Sequence, residues 1–206
     1  MNLTIRPLRI ETPVTLEGSV VRLEPLRDEH AQLFWDVAKN DLEGIFRWIP
    51  YAMRTPEDFR TLIDKAFAEQ ERGESVVFAT RERSSGRVVG STRFMNVDRP
   101  NRRVEIGSTW IAPDWQRTAV NTEAKYLMLR HAFETWGCIR VELKTDALNQ
   151  KSRNAILRIG AKEEGTLRRH TVTWTGRVRD TVYFSILDSE WPGVKQRLET
   201  LGARAG

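Results

Sequence analysis

A strand, a basic loop and a long apolar helix follow one another in the middle of the chain. The strand is Val104–Thr109 and the helix carries Tyr126–Phe133. Where the helix starts, Asn121 or Thr122 is expected to cap it by accepting hydrogen bonds from first-turn N–H groups. The remaining N–H groups, the helix dipole and Arg117 favour phosphate oxygens at this point. The alternative is a capped helix that binds nothing.

Periodicity and turn residues place the other elements around this unit. Apolar residues at helical spacing follow the strong helix start Thr55-Pro56 and end at Gly73. Residues 139–145 alternate between apolar and mostly charged side chains, as in a half-buried strand. The expected strands are 20–26, 75–81, 87–95, 103–111, 139–145, 162–173 and 177–187, and the expected helices are 28–40, 55–73, 122–136, 151–159 and one that opens at 189–192. This order predicts an α+β fold around one mixed, mostly antiparallel sheet.

Two segments near the N-terminus have no clear periodicity. Residues 1–18 are expected to form an arm, which leaves residues 19–206 as a single domain. Asp28 is expected to cap the first helix. The segment Gly44–Tyr51 is apolar and aromatic, and it fits a loop beside the substrate as well as a loop that only packs against the core.

Composition limits the class of protein. A chain of 206 residues with 40% hydrophobic and 30% charged residues fits one soluble domain. No apolar run approaches the about 20 residues of a membrane span, and the first seven residues carry no signal-peptide stretch, so a cytoplasmic location is expected. The single cysteine, Cys138, excludes an internal disulfide, and the scattered histidines predict no metal site. The net charge of +5 suits an anionic partner or a solvated basic surface, and no nucleic-acid motif accompanies it.

A second polar stretch, Asp146–Ala161, follows the strand at 139–145. It carries Asn149, Ser152 and Gly160-Ala161 in an order that resembles a motif of the GCN5-related N-acetyltransferases, most closely their RimJ/RimL-like branch. The earlier loop resembles the other motif of that family, with Gln116 in place. The resemblance runs from about Val20 to Trp191.

The earlier motif departs from the family pattern at two positions. Ala119 stands where the family usually has glycine, and Asn121 stands where it has glycine or alanine. Glycine allows a backbone to turn freely and to approach a pyrophosphate closely. The departures concern affinity for coenzyme A more than the fold.

The resemblance implies a GNAT-type three-layer α/β/α domain that uses acetyl-CoA as donor, with succinyl-CoA or another acyl-CoA as alternatives and no metal. In the family the strand before the loop splays from its neighbour and holds the pantetheine arm. The resemblance also implies a homo-oligomer. The residues expected to contact the cofactor are Trp110, Ile111, Ala112, Gln116, Arg117, Thr118, Ala119, Val120, Asn121, Thr122, Asn149 and Ser152.

Two residues are candidates for acid–base chemistry. Glu105 is the expected general base, since strand alternation puts it on one face with Gly107 and Thr109, and the family often has a glutamate on this strand. The alternative is an exposed carboxylate paired with Arg93 or Arg103. Ser152 is the expected proton donor to the leaving thiolate, and the alternative is a serine that only caps the helix at 151–159.

The sequence therefore predicts an N-acyltransferase in which a primary amine attacks the thioester of acyl-CoA directly. The acceptor is a protein N-terminus or a small-molecule amine, and His170 is expected near its entrance. The competing class is a non-catalytic binding module of the same fold that has lost coenzyme A through Ala119 and Asn121. RNA binding through the basic surface is the least favoured class, and it would require steep salt dependence.

Overall fold

One eight-stranded sheet runs through the computed structural model of the chain, which describes residues 8–203. The strands lie in the order β1-β2-β3-β4-β5-β6-β8-β7, and β5 and β6 form the parallel pair among antiparallel neighbours. This arrangement confirms the predicted α+β class with a mixed, mostly antiparallel sheet. The strands are β1 (Leu16–Glu17), β2 (Val21–Pro25), β3 (Val76–Glu82), β4 (Val88–Asp98), β5 (Arg103–Ile111), β6 (Arg140–Asp146), β7 (Lys162–Val172) and β8 (Val178–Leu187).

Helices cover both faces of this sheet, which gives three layers. Each face has its own apolar cluster, and β3 supplies alternate residues to the two clusters: Phe78 to one and Val77 to the other. No helix in residues 8–203 is long and apolar enough to cross a membrane. The helices are α1 (His30–Ala38), α2 (Leu42–Phe46), α3 (Pro56–Glu71), α4 (Ala119–Arg130), α5 (Gln150–Arg158) and α6 (Trp191–Ala203), and α4 continues into a π-helical turn at His131–Thr135.

The larger cluster joins α4, α5 and α6 to one face of the sheet. Leu127 and Met128 of α4 and Val141 and Phe184 of the strands are at most 2% exposed. On the other face, Phe34, Phe46 and Phe59 from α1, α2 and α3 surround Trp110 of β5. Burial of each large apolar side chain contributes about 1.5–3 kcal/mol. Both clusters therefore anchor β5, the strand on which the site is built.

The start of α3 agrees with the sequence. The Thr55 hydroxyl accepts from the Asp58 N–H at 3.3 Å, and the Asp58 carboxylate accepts from the Thr55 N–H at 2.8 Å. This reciprocal pair satisfies two donors that a helix end leaves open, and Pro56 needs no partner there. Phe59 and Ile63 then point into the core.

The N-terminal part of the chain differs from the sequence expectations in three places. Residues 1–7 of the predicted arm lie outside the described residues, while Leu16–Glu17 pairs with β2 and Leu16 is buried. Asp28 does not cap α1: the helix begins at His30, whose ring Nδ1 accepts the Arg27 N–H at 2.9 Å and closes the preceding turn. The segment predicted as an irregular loop begins inside α2, which Asp41 caps by accepting from Gly44 N–H.

Candidate active site

The two parallel strands of the sheet separate soon after they meet. β5 pairs with β6 over Arg103–Glu105 and Arg140–Glu142, although β5 continues to Ile111 and β6 to Asp146. Beyond these pairs the gap opens into a cavity of about 770 Å³, within the range of small-molecule and cofactor sites. The separation that the family resemblance implies is therefore present.

A β-bulge in β5 shapes one wall of this cavity. Ser91 faces Trp110 and Arg93 faces Gly107, so β5 has one more residue than β4 over this stretch, and Ser108 takes a positive φ of 47°. The expectation that Thr109 shares a face with Glu105 and Gly107 is wrong for this reason. The extra residue turns the Thr109 side chain towards α4, where it meets Lys125.

Close contact between β4 and β5 past the bulge depends on Gly90. A Cβ atom at that position would lie 2.2 Å from the Trp110 carbonyl oxygen and 3.0 Å from the Ile111 Cα. Glycine is the residue that allows such a backbone approach.

Of the three β5-end residues expected to hold the cofactor, Ile111 has its backbone turned to the gap. The Ala112 N–H is already donated to the Val89 carbonyl of β4 at 2.8 Å. Because successive residues of a strand point their backbone groups to opposite edges, the Ile111 N–H and C=O face away from β4. Its carbonyl accepts from Gln116 Nε2 at 2.8 Å, so Gln116 supports the strand end. Trp110 reaches the cavity edge, while its ring packs in the second cluster.

The helix after the loop begins earlier than predicted. α4 starts at Ala119, and its cap is Thr118, whose hydroxyl accepts from Val120 N–H at 3.3 Å and donates to the Trp115 carbonyl at 2.7 Å. Asn121 and Thr122 lie inside the first turn, so the prediction that one of them caps the helix is wrong. The turn into the helix is made by Arg117, which has φ 63°. Ala119 has helical geometry, so the backbone needs no glycine there.

The first turn of α4 presents part of the predicted cofactor set to the cavity. Of that set, the residues that line the cavity are Trp110, Ile111, Gln116, Arg117, Thr118, Asn121, Asn149 and Ser152, whereas Ala112, Ala119, Val120 and Thr122 do not line it. Val120 is buried in the core, and the Thr122 hydroxyl accepts from Arg158 Nη2 at 2.5 Å. Thr122 therefore ties α4 to α5.

Two cations of α5 that sequence reasoning missed lie on the same wall. Lys151 and Arg158 line the cavity beside Arg117, and Lys151 Nζ contacts the Gln116 side chain. Their spacing of seven residues, two helical turns, is the signal that could have placed them on one face. We call the wall formed by Gln116, Arg117, Thr118, Asn121, Lys151 and Arg158 the helical end of the cavity.

Asn149, not Ser152, caps α5. The Asn149 Oδ1 accepts from Ser152 N–H at 3.1 Å. Ser152 is half-buried and lines the cavity, and its hydroxyl makes no hydrogen bond within residues 8–203. The hydroxyl is therefore not used for capping and faces the place where a ligand fits.

Glu105 lies where the strands begin to separate, and it is 2% exposed. Its carboxylate accepts from Asn96 Nδ2 at 2.7 Å and pairs with Lys144 Nζ at 2.9 Å. The alternative of an exposed carboxylate paired with Arg93 or Arg103 is wrong, because these arginines pair with Glu69 and Asp98. Asn96 and Lys144, which the sequence did not single out, hold the carboxylate in one orientation at the cavity wall.

Further along the same face, β6 and β8 add buried charges. Asp146 pairs with Arg177, and Arg179 Nε lies 4.0 Å from the same carboxylate. Burial lowers the pKa of Arg179 from its ordinary value. Trp48 from the segment after α2 and His170 of β7 also line the cavity, and the role of His170 at an acceptor entrance stays a prediction. We call the wall formed by Trp48, Glu105, Lys144, His170 and Arg179 the sheet end.

Lys125 lies between the two ends and was also missed by sequence reasoning. It is 6% exposed, and its Nζ donates to the Thr109 hydroxyl at 2.6 Å. No carboxylate in residues 8–203 forms an ion pair with it, and burial lowers the pKa of its ammonium group to about 7. The signal in the sequence was its place among buried helical residues, between Ala124 and Leu129.

Comparisons with known proteins agree with this geometry. A family model for the acetyltransferase (GNAT) domain matches residues 21–162. YdaF of Bacillus subtilis, a proposed ribosomal N-acetyltransferase, is 36% identical over 110 residues, which are 53% of this chain and 59% of YdaF.

Solved structures match over most of the chain. A GCN5-related N-acetyltransferase from Brucella melitensis has a TM-score of 0.88 at 34% identity, with 96% of this chain and 89% of that chain covered. RimJ of Mycobacterium smegmatis, in complex with CoA-disulfide, has a TM-score of 0.82 at 24% identity, with 96% and 98% covered. The second likeness shows the fold alone.

The fold and the matched domain place this chain in the class of proteins with an acetyltransferase (GNAT) domain. Specifically, the chain belongs to the GCN5-related N-acetyltransferase family. The family prediction from the sequence is confirmed, and the likeness to YdaF supports the RimJ/RimL-like branch.

Proposed function

We propose that this protein transfers an acetyl group from acetyl-CoA to a primary amine, which attacks the thioester directly. The observation that carries this proposal is one continuous cavity with a phosphate-compatible helical end and a buried carboxylate at its sheet end. Acetyl-CoA supplies the activated acyl group when it is bound.

The residues of the helical end fit the anionic part of such a donor. The first-turn N–H groups of α4 lack acceptors within the helix, and Arg117, Lys151 and Arg158 add positive charge at the same wall. The edge of β5 at Ile111 has no neighbouring strand among the described residues, and since the Ile111 carbonyl already accepts from Gln116, the Ile111 N–H is the group offered to an amide-bearing arm. Neither feature needs glycine at Ala119, because that residue is helical.

The residues of the sheet end fit proton transfer from the amine. Glu105 is held by Lys144 and Asn96, so its carboxylate has one fixed orientation in which to accept a proton. We assign the acceptance of the amine proton, directly or through a water molecule, to Glu105. The Ser152 hydroxyl, which has no protein acceptor among the described residues, is assigned to hold a proton towards the leaving sulfur.

The acceptor is proposed to be a protein N-terminus or a small-molecule amine. The likeness to YdaF, a proposed ribosomal N-acetyltransferase, favours the first, and the polar lining of the sheet end is compatible with both. The cytoplasmic location and the homo-oligomer stay predictions from the sequence.

Calorimetric titration of the protein with acetyl-CoA and with succinyl-CoA tests the donor site. Saturable one-to-one binding is expected, and the tighter donor then enters a thiol-release assay with peptide and small amines. Pantetheine is the matched control, because it lacks the phosphates that the helical end should hold. A folded sample that binds neither acyl-CoA contradicts the proposal and favours the non-catalytic module.

A further inference from the structure

The guanidinium of Arg179 is buried at the cavity wall with few partners of its own. Arg179 is 8% exposed, its Nη1 reaches the Trp48 carbonyl at 3.4 Å, and its Nε has no hydrogen-bond partner among the described residues. Buried donors of this kind are costly unless something accepts from them. The group therefore lines the cavity with unused hydrogen-bonding capacity.

Arg179 shares the carboxylate beside it with a second guanidinium. Asp146 is fully buried and accepts from Arg177, whereas Arg179 Nε is 4.0 Å away, beyond hydrogen-bond distance. One carboxylate thus faces two guanidinium groups, and this part of the wall has a surplus positive charge.

The other charged groups of the sheet end do not remove this surplus. Glu105 has its own cation in Lys144, at 2.9 Å. Arg179 and Thr181 lie on the same face of β8 as Tyr183, which is the register partner of Lys144 in β6. Arg179 and Glu105 therefore line one cavity on one face of the sheet, at separate positions along that face.

We propose that Arg179 binds an anionic group of the acceptor, so that the acceptor is an amine that carries a carboxylate or similar anion in the same molecule. The amine lies towards Glu105 and the anion lies against the guanidinium, which can donate two parallel hydrogen bonds to a carboxylate. The placement of the amine rests on the proposed function. The anion site rests on Arg179 and does not depend on acetyl transfer.

A series of ω-amino carboxylates, from glycine to 6-aminohexanoate, tests the proposal with the unmodified chain and acetyl-CoA. We expect kcat/KM to peak at one chain length and to exceed that of the alkylamine of equal length by at least about tenfold. Amidated tripeptides with Glu or Gln at position two separate an acidic peptide from a free amino carboxylate as the source of the anion. Equal rates for charged and neutral acceptors of every length overturn the proposal.

Substitutions of Arg179 locate the effect. In Arg179→Gln the KM of the best amino carboxylate should rise about 10- to 100-fold, with the KM of the neutral amine unchanged, and Arg179→Lys should recover part of the loss. Arg168→Gln, on the exposed surface of β7 outside the cavity lining, is the matched control. An equal loss for both acceptors in Arg179→Gln, or no loss, overturns the proposal.

Binding without a donor separates this inference from the proposed function. Calorimetry of the protein alone with 5-aminopentanoate should give heat that disappears in Arg179→Gln and is absent with pentylamine. Such binding supports the anion site even if acetyl-CoA does not bind. Unchanged binding in Arg179→Gln contradicts the anion site even if acetyl transfer occurs.

Discussion

The two ends of the cavity use charge in opposite ways. At the helical end, Arg117 and Lys151 are exposed and work together with backbone N–H groups. At the sheet end, Glu105 is 2% exposed and held by Lys144 and Asn96. Exposed charges attract a ligand but are screened by salt, whereas buried and paired charges keep a fixed geometry. Under the proposed function, this difference predicts that the helical end controls affinity for the donor and the sheet end controls the chemical step.

Glu105→Gln should give the largest effect and tests the sheet end. The amide keeps the size of the side chain but cannot take up a proton, so kcat should fall about 10²- to 10³-fold. The Kd of acetyl-CoA should stay within about twofold, because Glu105 is remote from the helical end. Initial rates at saturating donor, over a range of pH, and calorimetry measure the two quantities.

The control for this variant is Glu142→Gln, on the neighbouring strand but outside the cavity lining. It should leave kcat unchanged. A normal kcat and pH profile in Glu105→Gln would remove Glu105 from the mechanism and end the division of roles between the two ends.

Asn121→Asp tests the helical end. A carboxylate of equal size at the cavity wall opposes the donor phosphates, and the Kd of acetyl-CoA should rise by about 30-fold, or ~2 kcal/mol. The rise should shrink at high salt. The same charge lies in the first turn of α4, where the helix dipole favours it, so the thermal midpoint should not fall.

Asn121→Ala is the matched control, since it removes the amide without adding charge. Its Kd should change much less than that of Asn121→Asp. If the two variants weaken binding equally, the helical end does not act through charge.

Lys125→Met tests the boundary between the ends through the pH dependence of stability. In the folded protein the pKa of Lys125 is lowered to about 7, against about 10.4 in an unfolded chain. Between these values the unfolded chain binds a proton that the folded protein does not, so the free energy of unfolding rises with pH by up to about 1.4 kcal/mol per unit. Below pH 7 both states are protonated and the rise is absent.

Urea unfolding at pH 6, 7, 8 and 9 measures this effect. The Met variant should lack the rise, whereas Lys65→Met, at an exposed position of α3, should keep it. Parallel pH curves for Lys125→Met and the unmodified protein would show that the lysine stays charged in its buried position.

Ser152→Ala should give the smallest effect and tests the Ser152 hydroxyl, which lines the cavity but belongs to neither end. Because Asn149 caps α5, loss of the hydroxyl should change stability by less than about 0.5 kcal/mol. We expect kcat to fall about tenfold with an unchanged Kd for acetyl-CoA. Asn149→Ala is the contrasting variant, with a loss of stability of about 1 kcal/mol.

The two ends also differ in how far the sequence could predict them. The helical end comes mainly from two short stretches with recognisable spacing, so the sequence predicts Gln116, Arg117, Thr118 and Asn121. The first residue of α4 was misplaced, because Thr118 and Asn121 are both good caps and local sequence does not decide between them.

The sheet end could be predicted only in part. Glu105 was named, but its partners Asn96 and Lys144 come from two other strands, and their contact depends on sheet order. The side to which Thr109 points depends on the bulge at Ser108, which interrupts the alternation on which the prediction rested. Arg179 is 33 residues beyond Asp146, and no spacing rule relates them.

The short pairing between β5 and β6 should affect amide hydrogen exchange along β5. Within residues 8–203, three register pairs join the strands up to β5 to those from β6 onwards, so backbone amides past Glu105 lack a neighbouring strand at the gap in this part of the chain. A ligand that bonds to the β5 edge supplies the missing strand partner. Amide hydrogen exchange along β5 past Glu105 should therefore slow when acetyl-CoA binds, while exchange in β3 should change little.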